Sequence, residues 1–332
     1  LLKNSLITLA VLSLTPFPAA SAETVLGSTD QGETVTSQEY SQNKKDRILP
    51  EEFGEAFLQG HYFKIYQQTS ESFRQNVSFA DFKSLGTSFN WGVTTYELKT
   101  SFRINKHQTR YVWVNGEASK GIQLVFDKHG TIQELYLTPL VSYPETDHIY
   151  TSNTYTMPIK EEWFVFWGGT NQLINYHYVY ENQRYAYDLV RKKHGSTHHG
   201  TPTKNKHFYA FGEEVAAPAD GRVLQVVDGI KDNVPGKRNT EQPLGNYVIV
   251  AHDNGEYSLL AHFKQGSIEV DPGDRVERGE LLGLCGNSGN SSEPHIHFQV
   301  MDSPDVFEGS AIRIRFQQRT SPIQGEFVEP ID

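Results

Sequence analysis

The sequence predicts two folded units of different class. A small α+β unit over residues 48–140, with helices packed on one curved antiparallel sheet, precedes a mainly β unit over 161–332, an antiparallel β-sandwich or barrel. Three observations predict this. Apolar residues recur at helical spacing in Phe53, Ala56 and Phe57 and again in Phe63, Ile65 and Tyr66. The period then changes to two from Val93 onward, and helices followed by a meander of strands is an α+β layout. Beyond about residue 160 the chain is nearly all short strand-like runs between turn residues, at a length normal for one β domain.

Taken in order, the chain opens with Leu1-Leu2-Lys3-Asn4-Ser5, an apolar stretch from Leu6 to Phe17, and Ala20-Ser21-Ala22. A basic start, a short apolar core and an Ala-x-Ala site are the layout of a secretory signal peptide over 1–22. Export is therefore expected. The apolar run is short and interrupted by Pro16 and Pro18, which argues against a membrane span, and no Cys near the cleavage site suggests a lipid anchor. Residues 23–47 are polar and acidic with almost no large apolar side chain, so a flexible leader is expected there.

Within 48–140, Ser78-Phe79-Ala80-Asp81 opens a second helix with a side-chain cap. Strands are expected over Val93 to Phe102, Arg110 to Asn115, Gly121 to Asp127 and Thr131 to Leu137, with Lys128-His129-Gly130 as a hairpin turn. His61, His107 and His129 form no catalytic set and are expected at the surface. The pattern resembles the small cone-shaped domains similar to nuclear transport factor two. Such a unit could bind a polymer, dock a protein partner or cover a groove. Residues 141–160, rich in Ser, Thr, Tyr and Pro, are expected to connect the two units. In the second unit, Ala217-Pro218-Ala219-Asp220-Gly221 and Asp271-Pro272-Gly273-Asp274 carry residues with preset or permissive backbone angles, which places hairpin corners there.

The chain has a formal net charge of -10 and a single cysteine, Cys285. An acidic protein is not a nucleic-acid binder by default, and one thiol excludes an intramolecular disulfide. Cys285 reads as a small apolar residue of the strand from Leu281.

Chemistry concentrates near the carboxyl end. In Pro294-His295-Ile296-His297-Phe298-Gln299-Val300, an extended strand puts His295, His297 and Gln299 on one face and Ile296, Phe298 and Val300 on the other. Paired imidazoles suit a divalent metal, because neutral ring nitrogens are good borderline ligands. His262, at the end of the run from Tyr257 to Phe263, is a third imidazole. Asp188 sits in the extended run Tyr185 to Val190, where a carboxylate among apolar neighbours needs a partner such as a metal.

These residues, with Ala217 to Val223, Gly245 to His252, Leu260 to Phe263, Gly273 to Gly279 and the loop and strand from Gly286 to Val300, resemble the lysostaphin-type, LytM-like zinc endopeptidases that cut bacterial peptidoglycan. The resemblance implies a fold with a duplicated hybrid motif, one zinc per chain, a peptidoglycan peptide substrate and a cell-wall location outside the cell. It places the metal ligands on Asp188 and His297 and the two non-ligand catalytic histidines on His262 and His295. Where that family usually has its first ligand, four residues before the Asp, this chain has Arg184. A branch with Asn-x-His ahead of a Gln-Arg-Tyr-Ala-x-Asp run fits better, and Asn175-Tyr176-His177 then supplies His177; His194, His198 and His199 are its rivals. By the same resemblance one of His262 and His295 takes a proton from water, and either steadies the oxyanion or protonates the leaving amine. Tyr247, Gly245, Gly286 and Gly289 are candidate groove walls that are better explained as turn residues, and His252 reads as structural.

Two other classes stand beside this one. A non-catalytic wall-binding or regulatory module could use the same fold. The hairpins around Gly221 and Gly273 also look like lipoyl, biotinyl or phosphocarrier domains, although no modifiable Lys is evident at a hairpin tip.

Overall fold

The computed structural model of the protein describes residues 47–317 and 320–331. The signal peptide expected over 1–22 and nearly all of the leader lie outside the described residues. Four helices come first: α1 (Phe53–Leu58), α2 (Tyr62–Gln68), α3 (Glu71–Asn76) and α4 (Phe79–Asn90). Helix α4 starts where the sequence predicts, with the Ser78 hydroxyl accepting from the Asp81 backbone N–H at 3.1 Å. Helix α3 is not legible in the periodicity, since Phe73 is its one large apolar residue, but Ser70 caps it in the same way at 3.2 Å.

The helices are followed by β1 (Tyr96–Arg103), β2 (Gln108–Asn115), β3 (Lys120–Asp127) and β4 (Ile132–Pro139), a four-stranded antiparallel meander in chain order. The turn between β3 and β4 is where the sequence places it: the Asp127 carboxylate accepts from the N–H groups of His129 and Thr131, and Gly130 takes φ +76°. Phe53, Phe57, Ile65 and Phe82 from the helices and Trp113, Ile122, Leu124 and Phe126 from the sheet share one core.

After the short helix α5 (Pro144–Asp147) come β5 (Trp163–Trp167), β6 (Tyr187–Val190), β7 (Glu214–Ala216), β8 (Gly221–Val227), β9 (Asn246–Ala251), β10 (Tyr257–Phe263), β11 (Arg275–Val276), β12 (Leu281–Leu284), β13 (Ile296–Met301) and β14 (Phe327–Val328). Eight of these form one antiparallel sheet in the order β11-β8-β9-β10-β13-β6-β5-β14, and β12 pairs with β7 separately. The main core draws on both sheets, with Val223, Val250, Leu260 and Phe298 from the large one and Val215 and Leu282 from the small one. This is the mainly antiparallel architecture that the sequence predicts, and the core-facing set Ile296, Phe298 and Val300 follows from strand alternation.

Part of the stretch expected as a connector is packed instead. Tyr155, Met157 and Ile159 are buried in the main core, Tyr155 bridging to Phe316 and Ile159 to Val215. The polar composition hid this because the Tyr155 hydroxyl is satisfied inside, by the Glu256 carboxylate at 2.9 Å.

The two sheets also touch through shared clusters. Phe102 of β1 packs with Phe164 and Val190, and Val112 and Val114 of β2 pack with Leu173 and Ile174. The Thr100 hydroxyl donates to the Gln324 carbonyl at 2.6 Å.

Candidate metal centre

Strands β6 and β13 are neighbours, and their register sets Asp188 opposite His297. His297 Nδ1 lies 3.0 Å from Asp188 Oδ1. The other ring nitrogen of His297 faces Gln299 Oε1 at 2.8 Å, on the same strand face two residues on. Gln299 Nε2 donates to the Asn182 carbonyl at 2.9 Å, which fixes the amide so that its oxygen must accept from His297 Nε2. In the neutral ring the proton therefore sits on Nε2, and Nδ1 turns a lone pair toward the Asp188 carboxylate.

His177 reaches the same place from a 3-10 turn, Tyr176–Val179, capped by Asn175. Asn175 does two things: its amide N–H groups hold the Gly169 and Ala186 carbonyls, and its oxygen accepts from His177 Nδ1 at 2.9 Å. That leaves Nε2 as the outward atom, 3.6 Å from Asp188 Oδ1, in a ring with no exposed surface. Among the described residues no protein group hydrogen-bonds this nitrogen. An unpartnered buried lone pair beside a carboxylate, with a second imidazole lone pair aimed at that carboxylate, is an arrangement that costs energy by itself and is relieved by a cation. His177, Asp188 and His297 offer ligand atoms that all lie within 4.8 Å of one another. Two imidazoles and one carboxylate form a donor set that fits zinc and leaves a coordination position open.

Protonation states agree with this reading. Burial drives His177 down to about 3, against the pull of Asp188, so the ring is neutral at pH 7. Burial alone would raise Asp188, but the ring of imidazoles around it, His177, His295 and His297, holds it well below the usual carboxylate range.

Two further imidazoles line the same hollow. His295 Nε2 is 3.8 Å from Asp188 Oδ1, and its Nδ1–H donates to the Glu293 carbonyl at 2.9 Å. His262 Nδ1–H donates to the Ser288 carbonyl at 2.8 Å, and its ring centre lies 4.7 Å from that of His295. In both rings the carbonyl fixes the proton on Nδ1 and leaves Nε2 free to accept one. Burial pushes His262 well below its ordinary value, with the neighbouring imidazoles adding to the effect.

His262 gets there by breaking the strand. Ala261 pairs with Tyr247 and Phe263 with Asn246, so His262 is the extra residue of a β-bulge. Its φ of +72° is unusual for a residue with a Cβ and costs about 1–2 kcal/mol. Backbone bonds to Leu244 and Gly286 hold it there. Strand alternation alone would have placed His262 with its neighbours' faces, so the sequence could name the residue but not its aim.

The rivals for the first ligand lie elsewhere. His194 and His199 are exposed, His198 caps the Gly200 carbonyl, and none of the three belongs to the ligand group found among the described residues. Arg184 points its guanidinium over the Tyr143 ring, 3.5 Å from its centre. His252 is bonded at both nitrogens, to the Asp220 carbonyl and the Ser258 hydroxyl. Gly245 and Gly289 take positive φ where two loops cross: a Cβ on Gly289 would sit 2.3 Å from Gly245 N, and one on Gly245 would sit 2.5 Å from the Ser288 carbonyl carbon. Their small size thus serves a crossing of two loops. Tyr247 packs beside a small cluster that includes Ile249 and Leu259. Sequence reasoning missed the roles of Gln299 and Tyr176. The first lies two residues from His297 on one strand face, which was a usable signal. The second packs against His177 at a 35° tilt with ring centres 3.9 Å apart and raises no periodic signal.

This donor set and the order of its strands can be set beside known proteins. Residues 197–312 match the model of Peptidase family M23. The M23 match contains His262, His295 and His297, whereas His177 and Asp188 lie upstream of it. Among curated relatives, the peptidoglycan DD-endopeptidase ShyA of Vibrio cholerae is 37% identical over 90 residues, covering 27% of this chain and 20% of ShyA. The murein hydrolase activator EnvC of Escherichia coli is 32% identical over 89 residues, covering 27% of this chain and 18% of EnvC. The chain thus spans less than a third of the length of the curated relatives it matches. A crystal structure described as a putative peptidase M23 from Pseudomonas aeruginosa aligns with a TM-score of 0.29 at 18% identity, covering 60% of this chain and 78% of that one.

Proposed function

We propose that this chain is an exported zinc metalloendopeptidase that hydrolyses amide bonds in bacterial peptidoglycan peptides. The observation that carries the reading is the convergence of His177 Nε2, Asp188 and His297 Nδ1, with two more imidazoles presenting a free Nε2 to the same hollow. The M23 match and relatives named as peptidoglycan endopeptidases support the substrate class. Among the described residues no helix is long and apolar enough to cross a membrane.

His177, Asp188 and His297 would hold the zinc, and one carboxylate among three ligands leaves the ion a net positive charge. When bound, the ion supplies Lewis acidity to a water and to the scissile carbonyl. The chain's own contribution is proton handling. His262 and His295 accept at Nε2, and each is kept in that tautomer by a backbone carbonyl on Nδ1. The same carbonyls stabilise the imidazolium that forms after proton uptake, so either ring can return the proton to the leaving amine. The buried surroundings keep His262 neutral, so its Nε2 lone pair is available to accept a proton.

The test is a digest of purified sacculi with zinc-loaded protein, read by mass spectrometry of the released muropeptides. New peptide termini with one zinc per chain support the reading. Binding to sacculi or stimulation of a separate hydrolase, with no new termini, would replace it with the regulatory reading that the likeness to an activator favours.

A further inference from the structure

Asp188 and His297 are spaced by strand register, but His177 comes from a 3-10 turn that belongs to no sheet. Something other than a ladder must hold that turn at a fixed distance from β6. Asn175 makes one tie, since its amide holds the Ala186 carbonyl while its oxygen accepts from His177 Nδ1.

A second tie comes from the short helix α5. The Tyr178 hydroxyl donates to Asp147 Oδ2 at 2.6 Å, and the Tyr185 hydroxyl donates to Asp147 Oδ1 at 2.9 Å. Tyr178 follows His177 directly, and Tyr185 stands three residues before Asp188. One carboxylate thus grips the segment of the first ligand with one oxygen and the segment of the second with the other. Both tyrosines are buried, and a buried hydroxyl that loses its acceptor is costly, so the carboxylate fixes where each phenol stands.

Arg184 closes the same brace. Its Nε donates to the Tyr178 carbonyl at 3.3 Å, its Nη1 donates to the Thr146 hydroxyl at 3.3 Å, and its guanidinium covers the Tyr143 ring just before α5. Asp147 is anchored in turn, because Arg313 Nη1 donates to its backbone carbonyl at 2.7 Å.

We propose that Asp147 is a positioning residue of the metal centre, which sets the spacing between His177 and Asp188 by holding Tyr178 and Tyr185. Helix α5, in the stretch between the two units, then supports the site. This deepens the proposed peptidase reading and rests on its zinc site.

The test uses the full chain with zinc alone as the ligand, its dissociation constant read by competition with a chelator. Asp147→Ala is expected to weaken zinc binding about tenfold, as loss of a supporting partner does. Asp147→Asn, which keeps one acceptor oxygen, recovers part of that loss. Tyr178→Phe and Tyr185→Phe each weaken binding about threefold, and adding either to Asp147→Ala weakens it no further, because they break the same tie. Glu256 supplies the control: its carboxylate accepts from the Tyr155 hydroxyl at 2.9 Å and the Asn153 N–H at 3.2 Å, in a network with no ligand residue. Glu256→Gln should lower the urea midpoint and leave zinc affinity within about twofold. Should Asp147→Ala fail to fold, the two Phe variants, which keep the ring, decide the matter. Unchanged zinc affinity in Asp147→Ala or in both Phe variants, losses that add, or an equal loss in Glu256→Gln would overturn the brace. An unaltered chain that binds zinc but cleaves nothing overturns the peptidase reading alone, and one that binds no zinc overturns both.

Discussion

The sheet of β1–β4 and the sheet that carries β6, β10 and β13 are both antiparallel, but they bury different things. The first packs Phe53, Phe57, Phe82, Trp113 and Phe126 into an aromatic core and leaves His61, His107 and His129 exposed. Its buried amides close on the backbone: Gln68 bonds Ile48 at both its oxygen and its nitrogen, and Asn115 accepts from Ser119 and Lys120. The second buries His177, Asp188, His262, His297 and Gln299 together, and leaves His177 Nε2 with no hydrogen-bond partner among the described residues. These closed amides belong to a scaffold, in which Glu134 Oε2 of β4 is nevertheless buried without a hydrogen-bond partner among the described residues. A buried imidazole held by one nitrogen and open at the other marks a site, because the desolvation cost has no return inside the protein.

The comparison can be broken by substitution. The largest effect is expected from His297→Ala, which removes a proposed ligand atom and should abolish both stoichiometric zinc binding and wall cleavage. Retained zinc, measured by elemental analysis, would show that the second sheet is a scaffold as well. Phe53→Ala in the aromatic core should cost about 3–5 kcal/mol in urea unfolding while leaving zinc affinity unchanged, since it touches no ligand. A parallel loss of zinc would mean that the two sheets are not separable in function. Asn175→Ala removes the acceptor on His177 Nδ1 and should weaken zinc binding about 10–100-fold, measured by competition with a chelator.

The smallest effect concerns pH. The Glu293 carboxyl is raised from its ordinary 4.5 to about 7, so the folded chain holds this proton more tightly than the unfolded one. Its contribution to stability is full below about pH 4.5 and is lost as pH rises through about 7. Between those limits Glu293→Gln should flatten the fall in Tm, by about 2–4 °C once its partial exposure is allowed for. An unchanged slope would put the carboxyl in a wetter setting than the loop geometry implies.

Much of this was legible in the residues. Strand alternation placed Ile296, Phe298 and Val300 in the core and His297 and Gln299 on the opposite face, and the Ser78 cap and the Asp127-Gly130 turn lie where local chemistry puts them. Other features had no local signal. Helix α3 lacks an apolar stripe, and the buried Tyr155, Met157 and Ile159 are masked by polar neighbours. The bulge that turns His262 inward depends on pairing with β9, which no periodicity within β10 reports.

By itself the sequence determined which side chains can do chemistry and which face of β13 His297 and Gln299 take, because alternation and capping act over two to four residues. Only the tertiary structure decided that His177, 11 residues upstream of Asp188 in a short turn, aims at the same carboxylate as His297, 109 residues downstream. Convergence over such separations is set by strand register and by second partners such as Asn175, Gln299 and Glu293, and those contacts exist only once the sheet has closed.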